Sequence, residues 1–257
     1  MPAEVPVIIP QPKSAEARGP ATDLSRPVRL ETSGEISGGQ AVLGGILDSL
    51  GVVVDEEGPY TVKVNQDPDT PAPGVSKTGR DEFYELTLSG SGAEIKCTTG
   101  LGARWGLQTF ASLVRSAANG AVVPELTIKD WPDLANRGIF VENKWGPDRM
   151  TLDDWKDIID RLAALKMNRM GVGIYGCWGN CHYGNWPTEF MMVPVPGHPE
   201  LKTEKNLRWY SPSNGQWHRE THLPYLFEGD FLADVVKYGK QRGRRQPDGA
   251  GTPRVLV

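Results

Sequence analysis

One stretch in the second half of the chain constrains the fold most strongly, because it alternates a strand, an amphipathic helix and a second strand. The pattern gives strands at 137–142 and 167–175 around a helix at 152–166. Two strands that are joined through a crossover helix pack side by side and parallel in one sheet. This βαβ unit therefore predicts a parallel sheet or a barrel in the second half of the chain.

The helix of this unit carries its own start signal. Thr151 and Asp154 have the spacing of a capping box, with Asp in place of the usual Glu or Gln. Because a buried helix face repeats at helical spacing, the apolar residues predict one stripe that packs on the sheet. The stripe consists of Trp155, Ile158, Ile159, Leu162 and Leu165.

The first half of the chain predicts a small, separate α+β domain. Residues 1–26 are rich in Pro, Ala and small polar residues, and we expect them to form an extended lead-in along its surface. Residues 27–132 then give a β-α-β-β-α order, and residues 133–257 form the second domain. The expected strands lie at 27–32, 60–64, 82–88 and 93–98, and the expected helices lie at 40–50 and 101–115.

A segment of about fifty residues, 176–228, separates the βαβ unit from a last predicted helix at 231–242. The segment is rich in Gly, Pro, Trp, His and Asn and lacks periodicity, so we expect no regular elements in it. Connections in βα units usually have about two to six residues, and much longer ones are functional or disordered. His218 and His222 lie in this segment and are interpreted as surface residues.

Charge and motif content exclude several classes of function. The net charge of −4 gives no general attraction to nucleic acid or to anionic membranes, so neither is expected as a partner. No nucleotide-binding, zinc-protease or serine-hydrolase motif occurs, and no cofactor is expected. Residues 1–19 lack the basic and apolar regions of a signal peptide, and the compartment stays open.

The three cysteines do not build a disulfide scaffold, although a single bridge between Cys177 and Cys181 stays open. These two residues and His182 form one C-x3-C-H cluster. Structural zinc usually has four closed ligands, and no second ligand pair accompanies this cluster. The sequence therefore predicts no metal site.

Three ordered motifs carry a resemblance to a known family. They are GARWGLQTFASLV at 102–114, VPELTIKDWPDLANRGIFVE at 123–142 and IIDRLAALKMNRM at 158–170. Together they resemble glycoside hydrolase family 20, the β-N-acetylhexosaminidases, over residues 5–175. The IIPQPKS sequence at 8–14 is also similar to the leading strand of that family.

The resemblance implies a small α+β domain, in which a sheet carries two helices, followed by a (β/α)8 TIM barrel. The active site of such a barrel lies at the carboxyl ends of its strands. Members of the family use an Asp-Glu pair after the fourth strand, with the acetamido group of the substrate as nucleophile. The implied partner is an oligosaccharide or glycoside substrate, and members of the family are often secreted or periplasmic.

The chain offers room for only part of that barrel. A complete barrel needs about 250 residues, whereas about 120 follow Arg137. No Asp-Glu pair follows a fourth strand, so we expect an incomplete barrel, no catalytic residue and an inactive chain. RRQPDGAGTPRVLV at 244–257 replaces the expected apolar strand, which indicates a frameshift, a gene-prediction error or a truncation near residue 243. The open edge of such a sheet favours self-association.

Two departures from the family pattern leave the identity of the substrate sugar undetermined. VENKWGPDRM at 141–150 replaces an Asp-rich continuation of the first barrel strand, and MGVGIYGCWGN at 170–180 lacks the histidine expected in the second strand. These changes favour a divergent branch. An α-glucuronidase-like hydrolase is one alternative, and a non-catalytic carbohydrate-binding or scaffold protein is another.

Candidate substrate-binding residues follow both barrel strands. The resemblance gives Arg137 hydrogen bonds to sugar hydroxyls, and the alternative is a structural salt bridge at the start of the strand. Glu142 and Asn143 end that strand, where barrel enzymes collect polar site groups, with capping or loop roles as the alternative. The loop after the second strand adds aromatic and polar groups that suit either a glycan cleft or a packed barrel end. These loop residues are Trp178, Asn180, His182 and Trp186.

Overall fold

The computed structural model describes residues 4–34, 39–73, 76–141, 147–173, 193–202, 204–242 and 254–256. The chain divides into two compact units, Met1–Ala135 and Asn136–Val257. Each unit combines a sheet with helices, and the predicted mixed α/β class is confirmed. Within the described ranges, no helix has the length and apolar character that crossing a membrane requires.

The first unit is built on a six-stranded sheet of β1 Ser14–Ala21, β2 Val28–Ser33, β3 Tyr60–Gln66, β4 Tyr84–Ser89, β5 Gly92–Cys97 and β6 Pro124–Asp130. The strand order is β1-β6-β4-β5-β3-β2. Strand β3 pairs parallel with both β2 and β5, whereas β4 pairs antiparallel with β5 and β6, and β1 pairs antiparallel with β6. The sheet is therefore mixed.

A long helix, α3 (Gly100–Ala118), packs against this sheet. The side chain of Thr99 caps its first turn by accepting a hydrogen bond from the backbone N–H of Leu101, at 3.2 Å. Glycines let the helix approach the sheet closely, because a Cβ at Gly102 would lie 2.3 Å from the carbonyl oxygen of Phe83. The G-x-x-x-G-L-Q-T motif is thus a packing requirement. Two further helices, α1 Gly39–Ser49 and α2 Lys77–Asp81, complete the unit.

Three elements of the first unit were not expected from the sequence, namely β1, α2 and β6. Strand β1 lies inside the predicted lead-in, 1–26, and pairs along the edge of the sheet through its backbone. Its sequence, SAEARGPA, has no apolar alternation, because an edge strand needs backbone hydrogen bonds more than a buried side-chain face.

The second unit contains the predicted βαβ unit. Strands β7 (Gly138–Val141) and β8 (Arg169–Gly173) pair parallel, and helix α4 (Leu152–Ala164) connects them. The capping box at the start of α4 is confirmed, with the side chain of Asp154 2.8 Å from the backbone nitrogen of Thr151.

The predicted stripe of α4 is confirmed except at its end. Trp155, Ile159 and Leu162 are buried and Ile158 is partly buried, but Leu165 is 42% exposed. Leu165 lies at the C-cap of the helix, where the backbone leaves the helical path, and this explains the error. A second helix, α5 (Leu232–Gln241), packs beside α4.

The prediction that 176–228 lacks regular elements is wrong for residues 205–222. Strands β9 (Lys205–Ser211) and β10 (Gln216–His222) form an antiparallel hairpin. Polar and aromatic residues occupy both faces of these strands, so no apolar alternation marks them. The Asn214-Gly215 dipeptide was the available signal, and Gly215 has a φ of 67° in the turn.

A last strand, β11 (Arg254–Leu256), pairs antiparallel with β8, in the sheet order β11-β8-β7. This strand lies in the segment that departs from the family pattern. A barrel places a parallel strand at this position. The antiparallel pairing of β11 therefore differs from the arrangement that the resemblance implies.

Candidate functional site

Arg137 lies at the amino end of β7, away from the end where barrel enzymes collect their site groups. Its backbone N–H donates to the side-chain oxygen of Asn168 at 3.0 Å, and its Nε donates to the carbonyl oxygen of Lys166 at 3.0 Å. A strand rises about 3.3 Å per residue, so the carboxyl end of β7 lies roughly 13 Å away. This geometry favours the structural role, in which Arg137 ties β7 to the connection between α4 and β8.

The remaining predicted site residues lie outside the described residues. Their roles in substrate binding therefore stay predictions, as does the absence of a metal site at Cys177, Cys181 and His182. Among the described residues, no group of three or more His, Cys, Asp and Glu side chains is arranged to hold a metal ion. The undescribed candidates are Glu142, Asn143, Trp178, Asn180, His182 and Trp186.

A polar cluster joins the two connections that leave the carboxyl ends of β7 and β8. Arg149 belongs to a 3₁₀ helix, Pro147–Arg149, in the first connection, and Glu220 belongs to β10 in the second. Their side chains form an ion pair at 2.8 Å, and each is 38% exposed. Arg149 also forms a hydrogen bond with the side chain of Tyr225. We name Arg149, Glu220, His222 and Tyr225 the carboxyl-end cluster.

The charges of this cluster keep Glu220 ionised. The hydrogen bond from Arg149 lowers the pKa of Glu220 below its ordinary value, and the charge of His222 acts in the same direction. A general acid at neutral pH needs a raised pKa, so Glu220 is not suited to donate a proton to a leaving group. An ionised carboxylate held by a guanidinium is instead suited to accept hydrogen bonds from sugar hydroxyls.

The sequence predicted that His218 and His222 are surface residues in a loop. The loop assignment is wrong for both residues, and the surface assignment is wrong for His222. Both residues lie on β10, and the two ring nitrogens of His222 are shielded from solvent. His218 stacks on Trp209 of β9, with ring centroids 5.1 Å apart. One face of the hairpin therefore carries Glu220 and His222 of the carboxyl-end cluster, and Trp209 on the same face is 41% exposed.

Comparisons with known proteins agree with the motifs in the sequence. Residues 5–131 match the family described as glycosyl hydrolase family 20, domain 2. An N,N′-diacetylchitobiase of Vibrio harveyi is 25% identical over 248 residues, which covers 91% of this chain and 26% of that protein. A beta-hexosaminidase subunit beta of Entamoeba histolytica is 25% identical over 169 residues, or 65% of this chain and 25% of that protein. The chain thus spans about a quarter of these relatives.

Solved structures share the fold. A crystal structure of a beta-N-acetylhexosaminidase has a TM-score of 0.51 and 21% identity, and the match covers 92% of this chain and 38% of that one. The beta-N-acetylhexosaminidase from Streptomyces coelicolor A3(2) has a TM-score of 0.54 and 18% identity, with 93% and 44% coverage. The resemblance predicted from the three motifs is confirmed.

Proposed function

We propose that the chain is part of a glycoside hydrolase of the β-N-acetylhexosaminidase type, because residues 5–131 match the family described as glycosyl hydrolase family 20, domain 2. The observation that carries the proposal is the order of the two units, a family 20 domain followed directly by a parallel βαβ unit. The similarity to a diacetylchitobiase extends over both units, since it covers 91% of the chain. The proposed substrate is an oligosaccharide or glycoside that ends in an N-acetylhexosamine.

The second unit is proposed to be the opening of a (β/α)8 barrel. The parallel pairing of β7 and β8 through α4 supports this assignment. The exposure of β7 supports it as well, because Ile139 is 40% exposed and Phe140 is 49% exposed. Strands of a parallel sheet are normally covered on both faces. Further strands and helices of a complete barrel would cover these two side chains.

The carboxyl-end cluster is proposed to bind substrate rather than to cleave it. In the described part of the chain, the connections after β7 and β8 bring Arg149 into contact with an ionised Glu220 and with Tyr225. These groups offer an acceptor and several donors to sugar hydroxyls. The resemblance assigns bond cleavage to an Asp-Glu pair after a fourth strand, and we propose that this chain alone binds sugars without hydrolysing them.

Sugar binding and hydrolysis by the purified chain test this proposal together. Saturation-transfer NMR would compare the N-acetylglucosamine disaccharide with the glucose disaccharide of the same linkage. Hydrolysis would be measured as release of 4-nitrophenol from 4-nitrophenyl β-N-acetylglucosaminide and from 4-nitrophenyl α-glucuronide. We expect binding of the N-acetylated disaccharide with no release of 4-nitrophenol.

Three results would contradict the proposal. Equal binding of both disaccharides would remove the N-acetylhexosamine specificity. Hydrolysis of the glucuronide would favour the α-glucuronidase-like alternative. Hydrolysis of the N-acetylglucosaminide would contradict the assignment of all bond cleavage to residues beyond this chain.

A further inference from the structure

The hairpin has a second face whose side chains are exposed. Side chains alternate along each strand, and residues opposite each other in the ladder share a face. Tyr210 lies opposite Trp217, and Arg208 lies opposite Arg219. We name these four residues the hairpin outer face.

Two exposed aromatic rings lie next to each other on the hairpin outer face. The rings of Tyr210 and Trp217 are 5.6 Å apart at an angle of 58°. Tyr210 is 49% exposed and Trp217 is 62% exposed. Tryptophan usually buries most of its large apolar surface, and exposed aromatic surface often marks a binding site. A flat exposed ring of this kind suits the apolar face of a sugar.

Two arginines lie beside these rings, and neither has an acidic partner in the part of the chain that the structure describes. Like charges directly opposite in a ladder destabilise the pair, and Arg208 and Arg219 occupy such positions. Among the described residues, neither guanidinium takes part in an ion pair, and the guanidinium of Arg208 lies 4.4 Å from the ring of Trp217. The two positive charges are thus concentrated on one exposed face of a protein with a net charge of −4.

The six-stranded sheet shows the usual arrangement for comparison. Its directly opposite charges have opposite signs, which stabilises the ladder. Two of these pairs are in ion-pair contact, namely Glu31 with Lys63, at 3.7 Å, and Glu85 with Lys129, at 2.9 Å. The uncompensated arginine pair is therefore a local cost in stability, and an anion that binds between the two guanidinium groups would offset it.

We propose that the hairpin outer face binds an acidic sugar unit of a glycan. Arg208 and Arg219 hold the carboxylate of a hexuronic acid, because planar guanidinium forks match the geometry of a carboxylate. Trp217 and Tyr210 contact the apolar face of the sugar ring. The choice of a glycan rests on the proposed function, and the inference extends its substrate to chains in which hexuronic acid neighbours N-acetylhexosamine.

The test compares an acidic and a neutral tetrasaccharide. The acidic probe alternates glucuronic acid with N-acetylglucosamine, and the neutral probe contains N-acetylglucosamine alone. Binding of each to the full 257-residue chain is measured by NMR titration at low salt. The variants are Arg208→Gln, Arg219→Gln and Trp217→Ala. The matched control is Arg18→Gln, which removes one exposed charge from β1.

The inference gives a distinct result for each arm. Loss of one charge-assisted contact lowers affinity about tenfold, so we expect that loss for the acidic probe in both arginine variants. Trp217→Ala is expected to weaken binding of the acidic probe as well, whereas Arg18→Gln is expected to leave the affinity unchanged. None of the four variants is expected to change the affinity for the neutral probe. The β-sheet signals of each variant in the NMR spectrum establish that the hairpin still forms.

Three outcomes would overturn the inference: equal affinity for the two probes, arginine variants that behave like the control, or equal binding of a DNA oligonucleotide of the same charge. The third outcome would leave only a general anion surface. Failure of the proposed function is a separate result. In that case the chain loses selectivity for N-acetylated sugars, whereas binding of the acidic probe still depends on Arg208 and Arg219.

Discussion

The two units of the chain differ in how completely their strands are covered. In the first unit, Val62 and Val64 of strand β3, which has a neighbouring strand on each side, are fully buried. In the second unit, Ile139 and Phe140 of β7 are 40% and 49% exposed. Strands that pair in parallel are normally covered on both faces, so this degree of exposure is unusual for apolar side chains of such a strand. The described strands of the first unit are therefore covered more completely than strand β7 of the second unit.

A phenylalanine from each unit provides the strongest test of this difference. Phe110 of α3 is fully buried and stacks on Tyr60 with ring centroids 6.3 Å apart. Phe110→Ala is expected to lower the free energy of unfolding by about 3–5 kcal/mol, because it leaves a cavity in a packed core. The matched change Phe140→Ala removes a half-exposed side chain and is expected to cost less than about 1 kcal/mol.

The unfolding of the first unit can be followed separately in urea through its cysteine. Burial raises the pKa of the Cys97 thiol to about 12, so this thiol reacts slowly with thiol reagents until the unit unfolds. The measurement uses a background in which Cys177 and Cys181 are replaced by serine. Equal destabilisation by the two alanine variants would mean that the units do not differ in packing.

A glycine in α3 gives the next largest expected effect. Gly102→Ala would place a Cβ 2.3 Å from the backbone carbonyl oxygen of Phe83, which cannot move without shifting the chain. We expect a loss of about 2–3 kcal/mol in the free energy of unfolding, measured by urea denaturation. Gly44→Ala in α1 is the control, because no atom lies within 4 Å of its added Cβ. That variant is expected to gain about 0.5–1 kcal/mol from helix propensity, and a loss at Gly44 as large as at Gly102 would contradict the packing argument.

Strand β7 of the second unit, which is partly exposed, is expected to have a smaller effect, and this effect is on self-association rather than on unfolding. Burying half of an Ile and half of a Phe between two copies would stabilise association by roughly 1–3 kcal/mol. Replacement of Ile139 and Phe140 by threonine is therefore expected to reduce self-association, measured as a lower average mass in analytical ultracentrifugation. Val122→Thr is the control, because Val122 is 64% exposed and lies outside the strands of the first unit. A monomeric parent chain would contradict the predicted self-association.

Sequence patterns predicted most elements that have a buried face, with β6 as the exception, and missed strands that lack one. The buried stripe and capping box of α4 identified the βαβ unit, because burial imposes a period on the sequence. Strands β1, β9 and β10 carry charged, small or aromatic residues on both faces, so no period marks them. The ion pair between Arg149 and Glu220 could not be predicted from the sequence either, because the two residues lie about seventy positions apart in the chain. Arg137 matched a motif, but the direction of the strand placed it at the amino end.

The ion pair between Arg149 and Glu220 gives the smallest expected effect, a pH dependence confined to the second unit. Because the folded-state pKa of Glu220 is lowered, its contribution to stability is present above the unfolded pKa of about 4.3. The contribution is lost as the pH falls through the lower folded-state value. Glu220→Gln is therefore expected to lower the melting temperature slightly at pH 7 and to leave it unchanged near pH 2. Glu228→Gln removes an exposed carboxylate from the same unit, and a pH profile of Glu220→Gln that matches this control would show that the pair does not hold the hairpin in place.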